Sequence, residues 1–287
     1  MRIVSFLMIV LLIIGCKIDK ELTQSSVEIR SKDSLIVSDT VTVQLNSKEL
    51  QHNIKINPIK SDLDDSNIIK DYVINRQFYK NTDNYIIDFC YPQLDENYNP
   101  KFELFNDFVK NELMQLSKIE QNILESQELL CDTLQKNLIR EHRIAEYKIY
   151  QQKETHISVL FYLENHYAET KGAYYTFKTV NFDKIKGKLL YFEDYFLPGS
   201  LSEVHDILNS EIRIQKAKGD LFYECFEVGL EDFKIAKNDF VINDDHIVYY
   251  FNDCVMCPSF VGTYCIEIPL EKLKSVLKQN WSNRFVF

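Results

Sequence analysis

The chain has 287 residues, of which 45% are hydrophobic and 13% aromatic, enough apolar material for a sizeable globular core in one or two domains. Its formal net charge of −10 at pH 7 argues against bulk electrostatic binding of nucleic acid or anionic lipid, and leaves solubility or attraction of a basic partner as alternatives. The 17 tyrosines and 19 phenylalanines against only 7 glycines favour β-strands over a glycine-rich nucleotide-binding architecture.

The N-terminus has the pattern of a bacterial lipoprotein signal. Arg2 precedes a nearly continuous apolar run at residues 3–14, and Gly15 and Cys16 follow directly. The run is shorter than the roughly 20 apolar residues of a bilayer-spanning helix, so a secretory signal fits better. The pattern predicts a signal peptide at residues 1–15, cleavage before Cys16 and attachment of the chain to the membrane through lipid on that cysteine. The alternatives are an uncleaved anchor or an ordinary signal with a chance cysteine.

This signal predicts a location in the bacterial cell envelope. Lys17, rather than aspartate, follows Cys16, which is compatible with outer-membrane sorting if the organism is diderm. Residues 16–70 are polar and contain no aromatic residue, so they have little to bury and are predicted to form a tether.

The folded region is predicted to begin near residue 71. Residues 72–79 and 84–91 are rich in Tyr, Ile, Val and Phe and flank a turn-like tetrapeptide, which predicts a β-hairpin. Apolar residues then recur at spacings of three and four from Phe102 to Ile123, which predicts one long amphipathic helix. Its apolar face is expected to pack on the strands that follow.

The rest of the chain alternates between strand and helix patterns. Period-two alternation predicts strands at residues 145–150, 156–163, 174–182, 189–192, 240–242, 247–251 and 264–268. Helices are predicted after Ser200 or Ser202 as far as Gly219, at residues 221–228, and from Pro269 with its apolar face reaching Leu277, with a loop at residues 193–199.

These elements predict the α+β fold class, with antiparallel sheets and packed helices, because strands and helices are segregated rather than alternating as βαβ units. The expected organisation is a two-part module after the tether. Its parts are an N-terminal subdomain at residues 71–142 and a C-terminal subdomain at residues 143–287.

Short features of the C-terminal part resemble a known family. Residues 155–196 contain a strand of the type ISVLF, a Gly-Ala pair, an Asn-Phe-Asp strand end, a turn glycine and a leucine-acidic-aromatic stretch. The matching residues, with the closing strands and helix, are Gly172, Ala173, Asn181, Asp183, Gly187, residues 190–196, residues 239–247, Phe251, Pro258, Gly262 and residues 268–270. With residues 91–94 and the helix from Phe102, they resemble the paired extracellular domains of unknown function in the RsiV-type anti-sigma factor and beside peptidoglycan deacetylase domains.

The resemblance implies a role at the envelope. The anti-sigma relative binds lysozyme through this region, and the deacetylase relative uses it as an accessory to a separate catalytic domain. We expect this chain to have neither a sigma-binding segment with a spanning helix nor a deacetylase domain. Tyr174 stands where the family has a histidine after the Gly-Ala pair.

The same segment supplies the predicted ligand-binding surface, at Gly172, Tyr174 and Tyr175. Gly172 permits close backbone approach, and the two tyrosines alternate on a strand, so that one of them faces outward unless covered. Tyrosine is enriched at protein interfaces because it combines a large apolar area with a polar tip. Core packing of both tyrosines is the alternative.

Cysteine supplies the only other candidate chemistry. Cys254 and Cys257 form a CxxC pair with Cys265 nearby, which indicates a structural disulfide, buried thiols or a thiol redox pair. A zinc site lacks the further ligands, and the six histidines form no HExxH or HxH motif, so no metal and no cofactor is predicted. There is also no GxSxG, phosphate-binding glycine loop or calcium loop.

The sequence therefore predicts a lipid-anchored envelope protein without catalysis of its own. Its module is expected to recognise a basic secreted protein such as lysozyme, or a cell-wall component related to peptidoglycan, and no nucleic acid. The alternatives are an envelope thiol oxidoreductase that uses Cys254 and Cys257, or a purely structural surface lipoprotein.

Overall fold

The structure is a computed structural model that describes residues 72–128, 140–152, 155–168, 172–243, 245–258 and 264–282. The predicted signal peptide, Cys16 and the tether lie outside these residues. Among the helices of the described residues, none has the length and apolar character needed to cross a membrane.

A six-stranded sheet forms the first layer. Its strands are adjacent in chain order, and every neighbouring pair is antiparallel except β2 and β3, which are parallel. The strands are β1 (Val73–Asn81), β2 (Tyr85–Leu94), β3 (Glu141–Gln152), β4 (His156–His166), β5 (Ala173–Asp183) and β6 (Lys188–Leu190). The predicted hairpin and the three successive strands are confirmed. This one sheet contains strands from both sides of the predicted division at residues 142 and 143.

Helices cover one face of this sheet. A 3₁₀ turn (Pro100–Phe102) leads into α1 (Glu103–Phe108), a π-helical segment (Val109–Met114) and α2 (Leu116–Glu128). Phe105 and Val109 are fully buried, and the rings of Phe105 and Phe182 meet edge to face with their centroids 5.6 Å apart. The predicted packing of this helical region on β4 and β5 is confirmed.

The predicted single long helix is wrong, because the chain changes direction at Gln115. That residue has a φ of +40°, and its amide donates to the Lys110 carbonyl at 3.0 Å. A left-handed residue of this kind ends a helix at its C-terminus, and a new helix begins at Leu116. The apolar spacing of three and four continues across the break, so periodicity alone does not reveal it.

A three-stranded antiparallel sheet packs on the other face, in the order β7 (Phe240–Ile242), β8 (His246–Tyr250) and β9 (Cys265–Pro269). Leu160, Tyr162 and Phe177 of the large sheet share an apolar cluster with residues of the small one. Polar bonds join the two sheets as well, since the Ser158 hydroxyl accepts from the Ile242 amide at 3.0 Å.

The far side of the small sheet is covered by helices. These are α3 (Phe192–Tyr195), α4 (Leu201–Lys218), α5 (Leu230–Ala236), a 3₁₀ turn (Leu270–Leu273) and α6 (Gln279–Ser282). The predicted helix ending at Gly219 is confirmed, and Gly219 closes it with a φ of +83°. The mixed content and antiparallel-dominated sheets confirm the α+β class.

Three local predictions in this layer are wrong. Residues 221–228 form no helix. They form a loop with a turn in which the Cys225 amide donates to the Phe222 carbonyl, the loop is bonded to the chain near Met256, and α5 begins only after Gly229. The predicted loop at residues 193–199 contains the end of α3, and the predicted terminal helix is reduced to a 3₁₀ turn.

Candidate functional site

The predicted ligand-binding residues lie where β3 begins, β4 ends and β5 begins. The strand register pairs Arg143 with Asn165, and Asn165 with Tyr174. Residues paired across neighbouring strands point to the same face of a sheet, so Arg143 and Tyr174 share one face. Tyr167 follows directly after β4 and completes the group.

Two exposed tyrosines form the outer part of this group. Tyr174 is 55% exposed and Tyr167 is 41% exposed, and their rings meet edge to face with centroids 5.7 Å apart. The Arg143 guanidinium carbon lies 3.8 Å from the centroid of the Tyr167 ring, which is a close cation–π stack. We call Arg143, Tyr167 and Tyr174 the tyrosine surface.

The base of the tyrosine surface is charged and buried. Arg143 is only 6% exposed, and one of its guanidinium nitrogens bonds the buried Glu141 carboxylate. Its other terminal nitrogen, Nη1, has no hydrogen-bond partner in the part of the chain that the structure describes. Pairing with Glu141 makes burial of the guanidinium tolerable. The cation then fixes the plane of the Tyr167 ring, so the aromatic contact area is ordered before any ligand arrives.

A buried carboxylate lies on the opposite face of the same strands. The Tyr162 hydroxyl donates to Glu164 Oε2 at 2.7 Å, and His166 Nε2 lies 2.6 Å from Glu164 Oε1. The rings of Tyr162 and Tyr175 stack with centroids 6.2 Å apart. Burial, helped by the nearby Glu164 carboxylate, raises the pKa of Tyr162 and of Tyr175, so both phenols remain protonated at neutral pH. This network holds the ends of the strands that carry the tyrosine surface.

The structure separates the three residues predicted to bind a ligand. Tyr174 is exposed, whereas Tyr175 is 7% exposed because alternate residues of β5 point to opposite faces and its face is covered by the small sheet. Of the two tyrosines, Tyr174 is therefore the one that faces outward, and Tyr175 is buried. Within the described residues, a Cβ added to Gly172 would meet nothing within 4 Å, so none of those residues approaches closely enough to require glycine there.

The sequence reasoning missed Arg143 and Tyr167. Neither belongs to a motif, and they meet Tyr174 only through the register of three strands. The alternation of residues along β3 and β4 identifies their faces, but one sequence does not fix which strands are neighbours.

Two bonded cysteines, Cys225 and Cys257, belong to the core on the far side of the small sheet. Cys257 forms a disulfide with Cys225, with Cα atoms 4.2 Å apart, whereas Cys254 is exposed and has a reduced thiol. Cys254 and Cys257 are thus not bonded to each other. Cys265 is half-buried on β9. Among the described residues, no group of three or more His, Cys, Asp or Glu is arranged to hold a metal ion.

Two surface cavities lie away from both groups. One, of about 580 Å³, is lined by Phe78, Gln115 and Leu116 at the break between the π-helical segment and α2. At its edge Glu120 bonds both Lys80 and the Tyr85 hydroxyl, so this carboxylate is already paired. The other, of about 220 Å³, is lined by Phe192, Leu197 and Lys237.

Several solved structures have a similar fold, and two bacterial proteins are among them. A DUF3298 family protein from Pseudomonas aeruginosa is 10% identical, with a TM-score of 0.54 over 72% of this chain and 94% of its own. A member of the same family from Bacteroides fragilis is 17% identical, with a TM-score of 0.51 over 72% of this chain and 93% of its own. No protein-family model and no curated protein matches the chain.

At these identities the likeness establishes the fold alone. It confirms similarity to a bacterial domain of unknown function at that level. The closer resemblance to the RsiV-type proteins and the lipoprotein signal remain predictions.

Proposed function

We propose that this chain is a lipid-anchored protein of the bacterial cell envelope whose folded module binds a ligand without catalysing a reaction. The proposed contact is the tyrosine surface, and the proposed ligand is a basic secreted protein such as lysozyme. The proposal rests mainly on the exposed pair Tyr167 and Tyr174. The Tyr167 ring of this pair stacks on the buried Arg143 guanidinium, which holds it in place. Rigid aromatic side chains supply large contact areas at low entropic cost.

Charge supports a basic partner. The chain carries a formal net charge of −10 at pH 7, so its long-range field attracts cations. Electrostatic attraction of this kind raises the association rate more than the final affinity, and salt screens it. The tyrosine contact would then determine how long the complex persists.

The test uses the full chain in detergent, immobilised, with lysozyme as the probe in solution. We expect binding whose association rate falls as salt is added, and at least about fivefold weaker affinity for Tyr174→Ala, as for an interface anchor. Tyr79→Ala is the matched control, because Tyr79 is also on the large sheet and is 58% exposed. Equal affinities of the two variants, or no binding of lysozyme, would refute this proposal.

A peptidoglycan-related ligand is the second outcome of the same experiment. Sedimentation of the chain with insoluble peptidoglycan, lost in Tyr174→Ala, would move the ligand from a protein to the cell wall while retaining the surface. Binding to neither probe favours a purely structural lipoprotein. The thiol oxidoreductase alternative depends on the separate group at Cys254 and Cys257.

A further inference from the structure

The disulfide and the exposed thiol lie within one short stretch of chain. Cys257 is bonded to Cys225 across 32 residues, and Cys254 is only three positions before Cys257. The Phe226 amide donates to the Met256 carbonyl at 2.9 Å, so the two bonded segments also lie side by side through their backbones. This stretch therefore contains a thiol that can act as a nucleophile, at Cys254, and a disulfide that it can attack, with Cys225 as the leaving group.

Cys254 occupies an unusual backbone position. It is the third residue of a turn in which the Val255 amide donates to the Asn252 carbonyl at 3.3 Å, and its φ is +63°. This left-handed conformation favours glycine or asparagine at that position of a turn. The turn brings residues 252–255 back on themselves, and the side chain of Cys254 is in solvent.

We propose that Cys254 makes the Cys225–Cys257 disulfide exchangeable within the folded chain. The Cys254 thiolate attacks Cys257 Sγ, and a Cys254–Cys257 bond forms as the Cys225–Cys257 bond breaks. The electron pair of the broken bond leaves on Cys225 Sγ, which takes up the proton that Cys254 lost. One disulfide and one thiol are present before and after, so no outside oxidant or reductant is required.

The exchange changes how one loop is held. Cys225 lies in residues 221–228, where Phe222, Tyr223 and Phe226 are all exposed. The disulfide is the covalent link between this aromatic loop and the turn at residues 252–258. After exchange the loop retains only non-covalent ties, such as the Phe226–Met256 backbone bond. The thiol that becomes available is then Cys225, which is 1% exposed in the bonded form.

The first experiment traps the released thiol. The full chain is incubated at mildly alkaline pH with dilute iodoacetamide, quenched with acid and mapped by mass spectrometry. Cyanogen bromide cleaves after Met256 and trypsin cleaves after Lys237, which places Cys225, Cys254 and Cys257 in three separate peptides and so distinguishes the two bonding patterns. We expect alkylated Cys225 in the wild type, in an excess on the order of tenfold over Cys254→Ser, because iodoacetamide alkylates thiols and Cys225 then stays in its disulfide unless another thiol attacks it.

The labelling must also be independent of protein concentration and must increase with pH, because the thiolate is the attacking species. Equal labelling of Cys225 in the wild type and in Cys254→Ser would overturn the proposal. Cys265→Ser is the matched control and is expected to behave as the wild type. Loss of Cys225 labelling in Cys265→Ser would show that Cys265 is the attacking thiol instead of Cys254, and would also overturn the proposal.

A second variant tests the geometry directly. In Cys225→Ser, with glutathione disulfide as the oxidant, we expect a Cys254–Cys257 bond to form. Two alkylatable thiols at these positions after oxidation would show that the CxxC turn does not close. Neither measurement depends on lysozyme binding at the tyrosine surface. The proposed ligand binding and the proposed disulfide exchange can therefore be refuted independently of each other.

Discussion

Phe105 tests the packing of the helical layer on the large sheet. Its side chain has 0% exposure and meets Phe182 edge to face, so Phe105→Ala removes a whole ring from a sealed site. Such a truncation loses the transfer free energy of the ring and leaves a cavity, which together lower the free energy of unfolding by about 3–5 kcal/mol. Alanine is the better helix former by only about half a kcal/mol, so the loss dominates.

Phe108→Ala is the matched control, because it makes the same change in the same helix at a side chain that is only partly buried. We expect it to lower the free energy of unfolding by about half as much, and the shared gain in helix propensity cancels from the difference. Urea unfolding of the full chain, followed by circular dichroism, measures both values. Equal losses, or a loss below about 1 kcal/mol for Phe105→Ala, would refute the packing described here.

Two further predictions concern a buried acid and the anchor. Burial raises the pKa of Asp239 above its ordinary 3.8, against the opposing effect of the Lys178 ammonium 3.5 Å away. The folded chain therefore holds this proton more tightly than the unfolded chain, and stability is lost as the pH rises from about 4 towards the folded pKa. Asp239→Asn should be the more stable chain at pH 7 but not at pH 3, and identical pH profiles of urea unfolding would contradict this. Cys16→Ala should release the protein from membranes or leave an uncleaved precursor in cell fractionation, whereas a membrane-bound chain of mature mass would place the anchor elsewhere.

Local pattern was sufficient for the elements whose residues alternate or repeat regularly. The strand β5 and the helix before Gly219 were predictable because each has a clear period and an adjacent turn or cap. The break at Gln115 was not, because a glutamine in the left-handed conformation leaves the apolar spacing unchanged. The helix expected at residues 221–228 failed for another reason: its aromatic residues satisfy a helical pattern, but Cys225 is bonded to a distant segment.

The candidate site, too, was only partly predictable from the sequence. Tyr174 could be identified because it lies in a predicted strand. The alternation of side chains along that strand implied that Tyr175 faces the opposite way, but it did not indicate which of the two tyrosines is covered. That depended on where the small sheet packs, and this is a tertiary fact. Arg143 joins the site from a strand about thirty residues earlier, through pairing that propensity does not encode. Likewise, the sequence allows several cysteines as the partner of Cys257, and only the structure identifies this partner as Cys225.

Strand β4 is buried on both faces for most of its length, with Ile157, Val159 and Phe161 in one core and Leu160 and Tyr162 in the other. Each layer therefore stabilises the other, as a bound ligand stabilises a folded protein. If the small sheet detaches, Leu160 and Tyr162 enter water, and the large sheet becomes less stable by the same free energy that held the layers together. This reciprocity favours loss of both layers in one cooperative transition, and it gives substitutions in β4 an influence that extends across the whole described fold.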